Sequence, residues 1–286
     1  MLPKFDLLIP QTLPEALKLL AEGAPDILPL AGGTNLIVDM RGGHRRPRAL
    51  IDLARLEELR GIRIDDGHVV VGGGTTIAEL MTDPLIADHG RPLREAAARL
   101  GNPLIRNRAT VAGNLVDASP AADTAPPLLV LNAELELASQ AGTRRLPLEG
   151  FIVGPNVTLL RPDELLVTVR WPIPPPRSAA TFYKIGLRKA GACSVVTTAV
   201  LVARDESGSC QEVRIALGAI APQPIRPRAA EDVLSSQSLT DTAISEAARL
   251  SAQATNPIDD VRASAAYRRR ATEVLVRRLL TEMAIT

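Results

Sequence analysis

Apolar and polar positions along the chain follow two periods in turn. Near the start, Leu17 and Leu20 fall on one face of "LPEALKLLAEG". Thr12 followed by Glu15 makes a capping-box pattern and Gly23 a stop, so the spacing predicts a short helix. "DILPLAGGTNL" reads as an apolar strand running into a glycine pair, and "RALIDLARL" as the next strand, ending near residue 53. Together they predict a βαβ unit. The texture then changes. "GIRIDDGHVVVGGG" predicts a hairpin turning at Asp66-Gly67. "TTIAELMTDPLI" and "GRPLREAAARLG" predict two short helices, the second with Pro92 near its start. "APPLLVLNAELELAS" predicts a helix followed by an alternating strand, and "TRRLPLEGF" and "DELLVTVRWPIP" further strands. One stretch fits neither period: "IRNRATVAGNLVDASPAAD", residues 105–123. It lacks aromatics and any run of large apolar side chains. By itself it predicts a turn followed by a helix start at Ser119-Pro120.

The run "PIPPPRS" (172–178) cannot continue a sheet or a helix and makes a stiff, extended connector. Beyond it, segments 180–188, 194–204 and 211–219 are β-like, with "DESGS" turning between the last two. The closing "RASAAYRRRATEVLVRRLLTEM" carries Ala and Leu at helical spacing, with arginines on the other face. A chain of 286 residues is longer than one small core usually spans, so two or three packed domains are expected.

Composition narrows the function. Hydrophobic residues make up 46% of the chain, which implies a folded globule. Aromatics are only 2%, so the core must be built from Leu, Val, Ile and Ala. The net charge is +1 and no basic run stands out, which argues against nucleic-acid binding. Cys193 and Cys210 form no CxxC pair and cannot alone hold an iron–sulfur cluster or a tetrahedral zinc. No metal is expected in this chain; a disulfide is conceivable, but the cysteines read as two buried thiols of a cytosolic protein. The N-terminus "MLPKFDLLIPQT" lacks a signal-peptide pattern, and no apolar stretch reaches the roughly 18 residues of a membrane helix. A soluble, cytoplasmic protein is expected.

The candidate chemistry lies in small-residue loops. Gly32-Gly33, Gly72-Gly73-Gly74 and Ala112-Gly113 each follow an apolar stretch. Such glycines either make turns or let backbone N–H groups approach an anion. "VVVGGGTTIAEL" is neither GxxxxGK[ST] nor GxGxxG, so neither a P-loop nor a Rossmann site is supported. Two loops have polar company: Thr34 and Asn35 in "AGGTNL", Thr110 and Asn114 in "TVAGN". Facing each other, they would offer a pyrophosphate a cage of neutral donors. Asp123 either accepts from sugar-type hydroxyls or serves as a first-turn helix aspartate. No general acid/base pair or nucleophile–histidine arrangement stands out, and His44, His68 and His89 sit in no motif.

The ordered set "LAGGTNLIVDMR", "LIDLARLEELRGI", "GGGTTIAEL", "IRNRATVAGNLVDASPAAD" and "RASAAYRRRATEVLVRRLL" resembles the FAD-binding medium subunit of the molybdenum hydroxylases. That group includes xanthine dehydrogenase and carbon monoxide dehydrogenase. The resemblance covers nearly the whole chain. It implies an α+β protein: a two-subdomain FAD-binding fold of the vanillyl-alcohol-oxidase type, then a C-terminal domain of a three-stranded sheet plus helices. The corresponding boundaries are 1–57, 58–176 and 177–286. It implies non-covalent FAD. Gly32, Gly33, Thr34 and Asn35, flanked by Ala31 and Leu36, would contact the pyrophosphate. Thr110, Ala112, Gly113 and Asn114 would form the second phosphate and ribityl wall. Asp123 would bind flavin-side hydroxyls, Leu166 would lie near the adenine or the ring, and Lys184 close to the flavin. A cation there would stabilise the reduced, negatively charged ring. Relatives often carry glycine where this chain has Ala112; ordinary φ is expected at Ala112, with the close approach left to Gly113. The implied partners are a molybdenum-cofactor large subunit, a small subunit with two [2Fe–2S] clusters, and an acceptor such as NAD+. The competing readings are a flavin-free bridging subunit and a stand-alone flavin reductase.

Overall fold

The computed structural model describes residues 2–188 and 190–285. Its first fifty residues form a small parallel sheet because each strand is short, apolar and separated by a helix. The elements are β1 (Asp6–Leu8), α1 (Leu13–Gly23), β2 (Ile27–Leu30), α2 (Leu36–Gly42) and β3 (Ala49–Asp52). Strand β3 is central: Leu50 pairs with Leu7 on one side and Leu28 on the other, both parallel. Helix α1 buries Ala16, Leu17 and Leu20. Thr12 accepts from Glu15 N at 3.4 Å as its spacing predicts, but the Glu15 carboxylate reaches Gln11 N at 2.7 Å. Helix α2 had no signal in the apolar pattern, because Met40 is the residue it buries.

The second sheet is antiparallel. Its strands are β4 (Ile62–Asp65), β5 (His68–Gly72), β6 (Glu134–Ser139), β7 (Gly142–Pro147) and later β10 (Leu165–Pro172), in the order β4-β5-β10-β6-β7. The β4–β5 hairpin turns at Asp66 and Gly67, with φ of 47° and 69°, as the Asp-Gly pair predicts. Six short helices cross between β5 and β6: α3 (Ile77–Thr82), α4 (Pro84–His89), α5 (Arg91–Arg99), α6 (Pro103–Arg106), α7 (Val111–Asp117) and α8 (Ala125–Val130). Thr76 and Glu79 close a full capping box on α3. A small ladder of β8 (Ile152–Gly154) and β9 (Val157–Thr158) precedes β10. Trp171 is fully buried, and its indole N–H donates to His89 O at 3.0 Å.

After the proline-rich connector come β11 (Ser178–Gly186), β12 (Ser194–Arg204) and β13 (Cys210–Gly218), an antiparallel meander. Helices α9 (Arg228–Leu234), α10 (Asp241–Gln253) and α11 (Ala265–Ile285) follow. Strand β12 is buried from Ser194 to Ala203 because both faces are covered. Ala199 and Leu201 join the core of the central sheet. Val196, Val200 and Val202 pack with Ile244, Leu275 and Leu279 of α10 and α11. A strand covered on two faces reads as a continuous apolar run, and "SVVTTAVLVA" does. Both cysteines are free thiols, but only Cys210, on β13, is buried; Cys193, just before β12, is exposed, contrary to expectation.

Two carboxylates bind cations tightly. Glu164, nearly out of water, accepts from Arg144 at 2.6 and 2.8 Å and from Arg161 N at 2.8 Å. The Arg144 hydrogen bond holds its carboxyl below the usual range. Asp260 is likewise held low, chiefly by Arg262. A depressed carboxylate means that the unfolded chain binds more protons, so the stability it contributes is present above the unfolded value of about 4 and is lost as pH falls below it. The urea midpoint is expected to drop between about pH 5 and about pH 3, and Glu164→Gln to flatten part of that slope. An unchanged slope in that variant would remove Glu164 from the explanation.

Candidate cofactor cleft

The loop between β2 and α2 is the chemically open part of the chain. Leu30 O is taken by Leu53 N at 2.9 Å, which ends the strand. Gly33 then adopts φ +70°, and its carbonyl accepts from Ile37 N at 3.2 Å as α2 begins. The backbone N–H groups of Gly32, Gly33, Thr34, Asn35 and Leu36 have no acceptor among the described residues. Five consecutive free donors at the start of a helix form a concave positive surface suited to an anion. Gly32 lies flat against the opposite wall: a Cβ there would stand 1.9 Å from Arg108 O.

That opposite wall is the stretch 105–123, and most of its middle is helix. Thr110 caps α7 by accepting from Gly113 N at 3.1 Å. Val111 N goes to Thr75 O at 3.0 Å, Ala112 N to Gly73 O at 3.1 Å and Asn114 N to Thr110 O at 3.0 Å. The backbone donors of Val111–Asn114 are therefore already used, and Thr110 N keeps no acceptor among the described residues. Beyond that one N–H, its offer is side chains: the Thr110 hydroxyl, the Asn114 amide and the small face of Ala112. Ala112 has ordinary helical φ, as expected. Asn114 Oδ1 accepts from Thr124 Oγ1 at 2.6 Å, which leaves its Nδ2 to donate. The triple glycine is a packing device. Gly73 N and Gly74 N donate to Val167 O and Leu59 O at 2.7 Å. A Cβ on Gly73 would meet Leu166 O at 2.3 Å and Ala112 Cβ at 3.1 Å.

Between the walls runs a slot lined by Ala31, Leu53, Arg60, Arg108, Thr110 and Leu166, among others. Leu166 reaches it from a bulge in β10, where the register with β6 shifts. Leu53, Arg60 and Arg108 were not singled out from sequence. The Arg108 side chain has no partner among the described residues, and it stands two residues before Thr110 in a stretch already singled out. Asn35 bridges the walls, its Nδ2 donating to Asp117 Oδ2 at 2.6 Å. Burial raises the Asp117 carboxyl, against the Asn35 hydrogen bond.

Asp123 and Lys184 lie farther along. A cavity of about 460 Å³ is lined by Arg99, Tyr183, Lys184, Ile185, Gly186 and Arg188, among others. The Tyr183 ring carries the Arg99 guanidinium at 4.6 Å and that of Arg278 at 5.1 Å. Lys184 Nζ donates to Asp123 Oδ2 at 2.6 Å, and Ser194 Oγ to Asp123 Oδ1 at 2.5 Å. Burial pushes the Asp123 carboxyl up, while Lys184 and Ser194 pull it down. The Asn114–Thr124 bond joins the two regions, because Thr124 follows Asp123. Of the candidate residues, Ala31, Thr110, Ala112 and Leu166 line the slot and Lys184 lines the cavity; Gly32–Leu36, Gly113 and Asn114 are outside the slot's lining, and Asp123 stands behind Lys184.

An anion-ready loop facing a polar wall, backed by an α+β unit, defines a dinucleotide-binding protein. Comparison with known proteins makes that class specific. The family described as "FAD binding domain in molybdopterin dehydrogenase" matches residues 3–174, and "CO dehydrogenase flavoprotein C-terminal domain" matches residues 181–283. The 6-hydroxypseudooxynicotine dehydrogenase complex subunit alpha of Paenarthrobacter nicotinovorans is 34% identical, over 98% of this chain and 94% of that one. The xanthine dehydrogenase FAD-binding subunit of Escherichia coli O157:H7 is 33% identical, over 95% of this chain and 93% of that one. A carbon monoxide dehydrogenase structure from Hydrogenophaga pseudoflava superposes with a TM-score of 0.94 at 31% identity, covering 97% of this chain and 96% of that one. The chain belongs to the FAD-binding medium subunits of the molybdenum hydroxylase family. It is an oxidoreductase flavoprotein subunit. No helix among the described residues is long and apolar enough to cross a membrane.

Proposed function

We propose that this chain takes electrons from the [2Fe–2S] clusters of a partner subunit, themselves fed by a molybdenum-cofactor subunit. It passes them through non-covalent FAD to NAD+ or another acceptor, as part of a cytoplasmic complex. The observation that carries this reading is the row of five unpartnered N–H groups at Gly32–Leu36. It suits a pyrophosphate: the bare face of Gly32 lies against the Arg108 backbone, the Arg108 cation lines the adjoining slot, and no carboxylate is in that slot's lining.

In this reading Gly32–Leu36, Thr110 and Arg108 hold the phosphates. Asn114 donates to the ribityl side, Ala112 and Gly113 keep the wall low, and Leu166 packs against one arm of the dinucleotide. The ring end takes the cavity beside Lys184, and Asp123 acts there through the Lys184 ammonium. Bound FAD supplies a store of two electrons between one-electron donors and an acceptor. The protein's part is binding, orientation and tuning. In this reading, with units 1–57, 58–176 and 177–286, the dinucleotide lies between the first two and its ring against the third.

The test is purification of the assembled complex, with flavin counted per chain and its bleaching by substrate followed in the visible spectrum. One FAD per chain, reduced only when both partners are present, supports the proposal. A colourless chain that cannot be reconstituted means a bridging subunit. NADH oxidation by the isolated chain, unaffected by the partners, means a stand-alone reductase.

A further inference from the structure

The cavity beside Lys184 has a charged wall that is held from behind. Lys184 is almost out of water, with a side-chain exposure of 8%. Its ammonium has three hydrogens to place. One goes to Asp123 Oδ2 at 2.6 Å and one to Arg99 O at 3.3 Å. The third is left for the cavity that Lys184 lines. Asp123 is the nearer and the charged acceptor, so it sets where the ammonium stands.

Asp123 lies on the irregular segment after α7, which has no ladder to hold it. Its other oxygen is fixed by Ser194, the first residue of β12, whose hydroxyl donates to Oδ1 at 2.5 Å and is fully buried. Ser194 is itself anchored. Arg262 Nη1 donates to Ser194 O at 3.5 Å, and Arg268 Nη1 to the next carbonyl, Val195 O, at 2.9 Å. Asp260 accepts from both arginines. The line from the loop before α11 to the cavity runs Asp260, Arg262, Ser194, Asp123, Lys184, with Arg268 holding the adjoining Val195 carbonyl. Ser194 stands behind the lining, outside it.

We propose that Ser194 is a positioning residue for electron transfer: through Asp123 it fixes the place and effective charge of the Lys184 ammonium, and so sets the reduction potential of the flavin held in the cavity. The inference rests on the FAD reading above. The physical argument is one of cancellation. While Asp123 is ionised, the pair presents little net charge to the ring. A buried carboxylate stays ionised only while its oxygens have donors. Without the Ser194 hydroxyl, Asp123 takes up a proton more readily and cancels less of the ammonium. A less cancelled cation favours the electron-rich ring.

The experiment is a spectroelectrochemical titration of the assembled complex, with FAD per chain counted first. Ser194→Ala is expected to keep its FAD and to shift the flavin potential to more positive values. Asp123→Asn, which removes the charge and keeps the shape, shifts it further in the same direction. Ser194→Thr, which keeps the hydroxyl, stays near the parent. Full FAD occupancy with an unmoved potential in Ser194→Ala overturns the inference, and so does a Ser194→Thr shift as large as that of Ser194→Ala. Where Ser194→Ala fails to assemble, Asp123→Asn decides: an unmoved potential overturns the inference, and a positive shift supports it. A parent complex without FAD overturns the underlying reading instead, so the two failures are distinct.

Discussion

Gly32→Ala is expected to purify without flavin while remaining folded. A Cβ at residue 32 would sit 1.9 Å from Arg108 O and 2.5 Å from Arg108 C. Both atoms are backbone, so no rotamer change relieves the overlap, and the loop has to move off the wall. The N–H groups of Gly32–Leu36 move with it. Charge-assisted hydrogen bonds are worth about 1.5–3 kcal/mol each and weaken steeply with misalignment. Losing two of them costs about 3–6 kcal/mol, on the order of a hundred- to ten-thousand-fold in FAD affinity. The measurement is FAD per chain after purification, followed by reconstitution at rising FAD. A melting curve without flavin separates lost binding from lost folding. Gly33→Val supplies the contrast. Its strain comes from φ +70°, and its Cβ contacts are the Leu30 and Ile37 side chains at 3.1 and 3.2 Å, which can yield. It should bind FAD less tightly than the parent and more tightly than Gly32→Ala. Full flavin in Gly32→Ala would remove this loop from the phosphate site.

The sequence made this loop visible because its glycines and small polar residues interrupt a regular apolar pattern. The same pattern exposed the hairpin at Asp66-Gly67 and a strand at 194–204. It failed where tertiary contacts do the work. Helix α7 is built on "VAGNLVD", a weak helix former by propensity. It forms because Thr110 caps Gly113 N, Val111 and Leu115 are buried, and the carbonyls of Thr75 and Gly73 accept its first N–H groups. Those acceptors come from more than thirty residues upstream, beyond any local window. The consequence reaches the site: a loop that sequence suggests as a second set of backbone donors turns out to have used those of Val111–Asn114. Arg108 was hidden for another reason, since an arginine on a surface turn has no pattern of its own. The Ser194–Asp123–Lys184 arrangement spans separations of 71 and 61 residues. Each member was legible at most as a single polar residue.

Arg268→Ala should be the most destabilising single change in the C-terminal unit. Arg268 is 2% exposed although it lies near the start of a long, arginine-rich helix. Its Nη1 donates to Val195 O at 2.9 Å and to Ala219 O at 2.8 Å, and its Nη2 to Asp260 Oδ1 at 2.7 Å. The side chain thus ties α11 to the start of β12, the end of β13 and the loop before α11. Truncation leaves two backbone carbonyls without their donor and opens a cavity the length of an arginine. Breaking a buried charged network of this kind costs about 3–5 kcal/mol. Arg268→Lys restores one donor without the fork and should recover only part of that loss. Asp260→Ala should cost less, because the carboxylate is partly open to water and Arg268 keeps its two carbonyls. In the double variant the losses should add to less than their sum, since they share one contact. Urea unfolding of the flavin-free chain measures all four, and strict additivity would exclude the shared network. Because Val195 adjoins Ser194, any Arg268 variant that still folds should also loosen the Asp123–Lys184 pair. Its flavin potential is therefore expected to move in the same direction as that of Ser194→Ala.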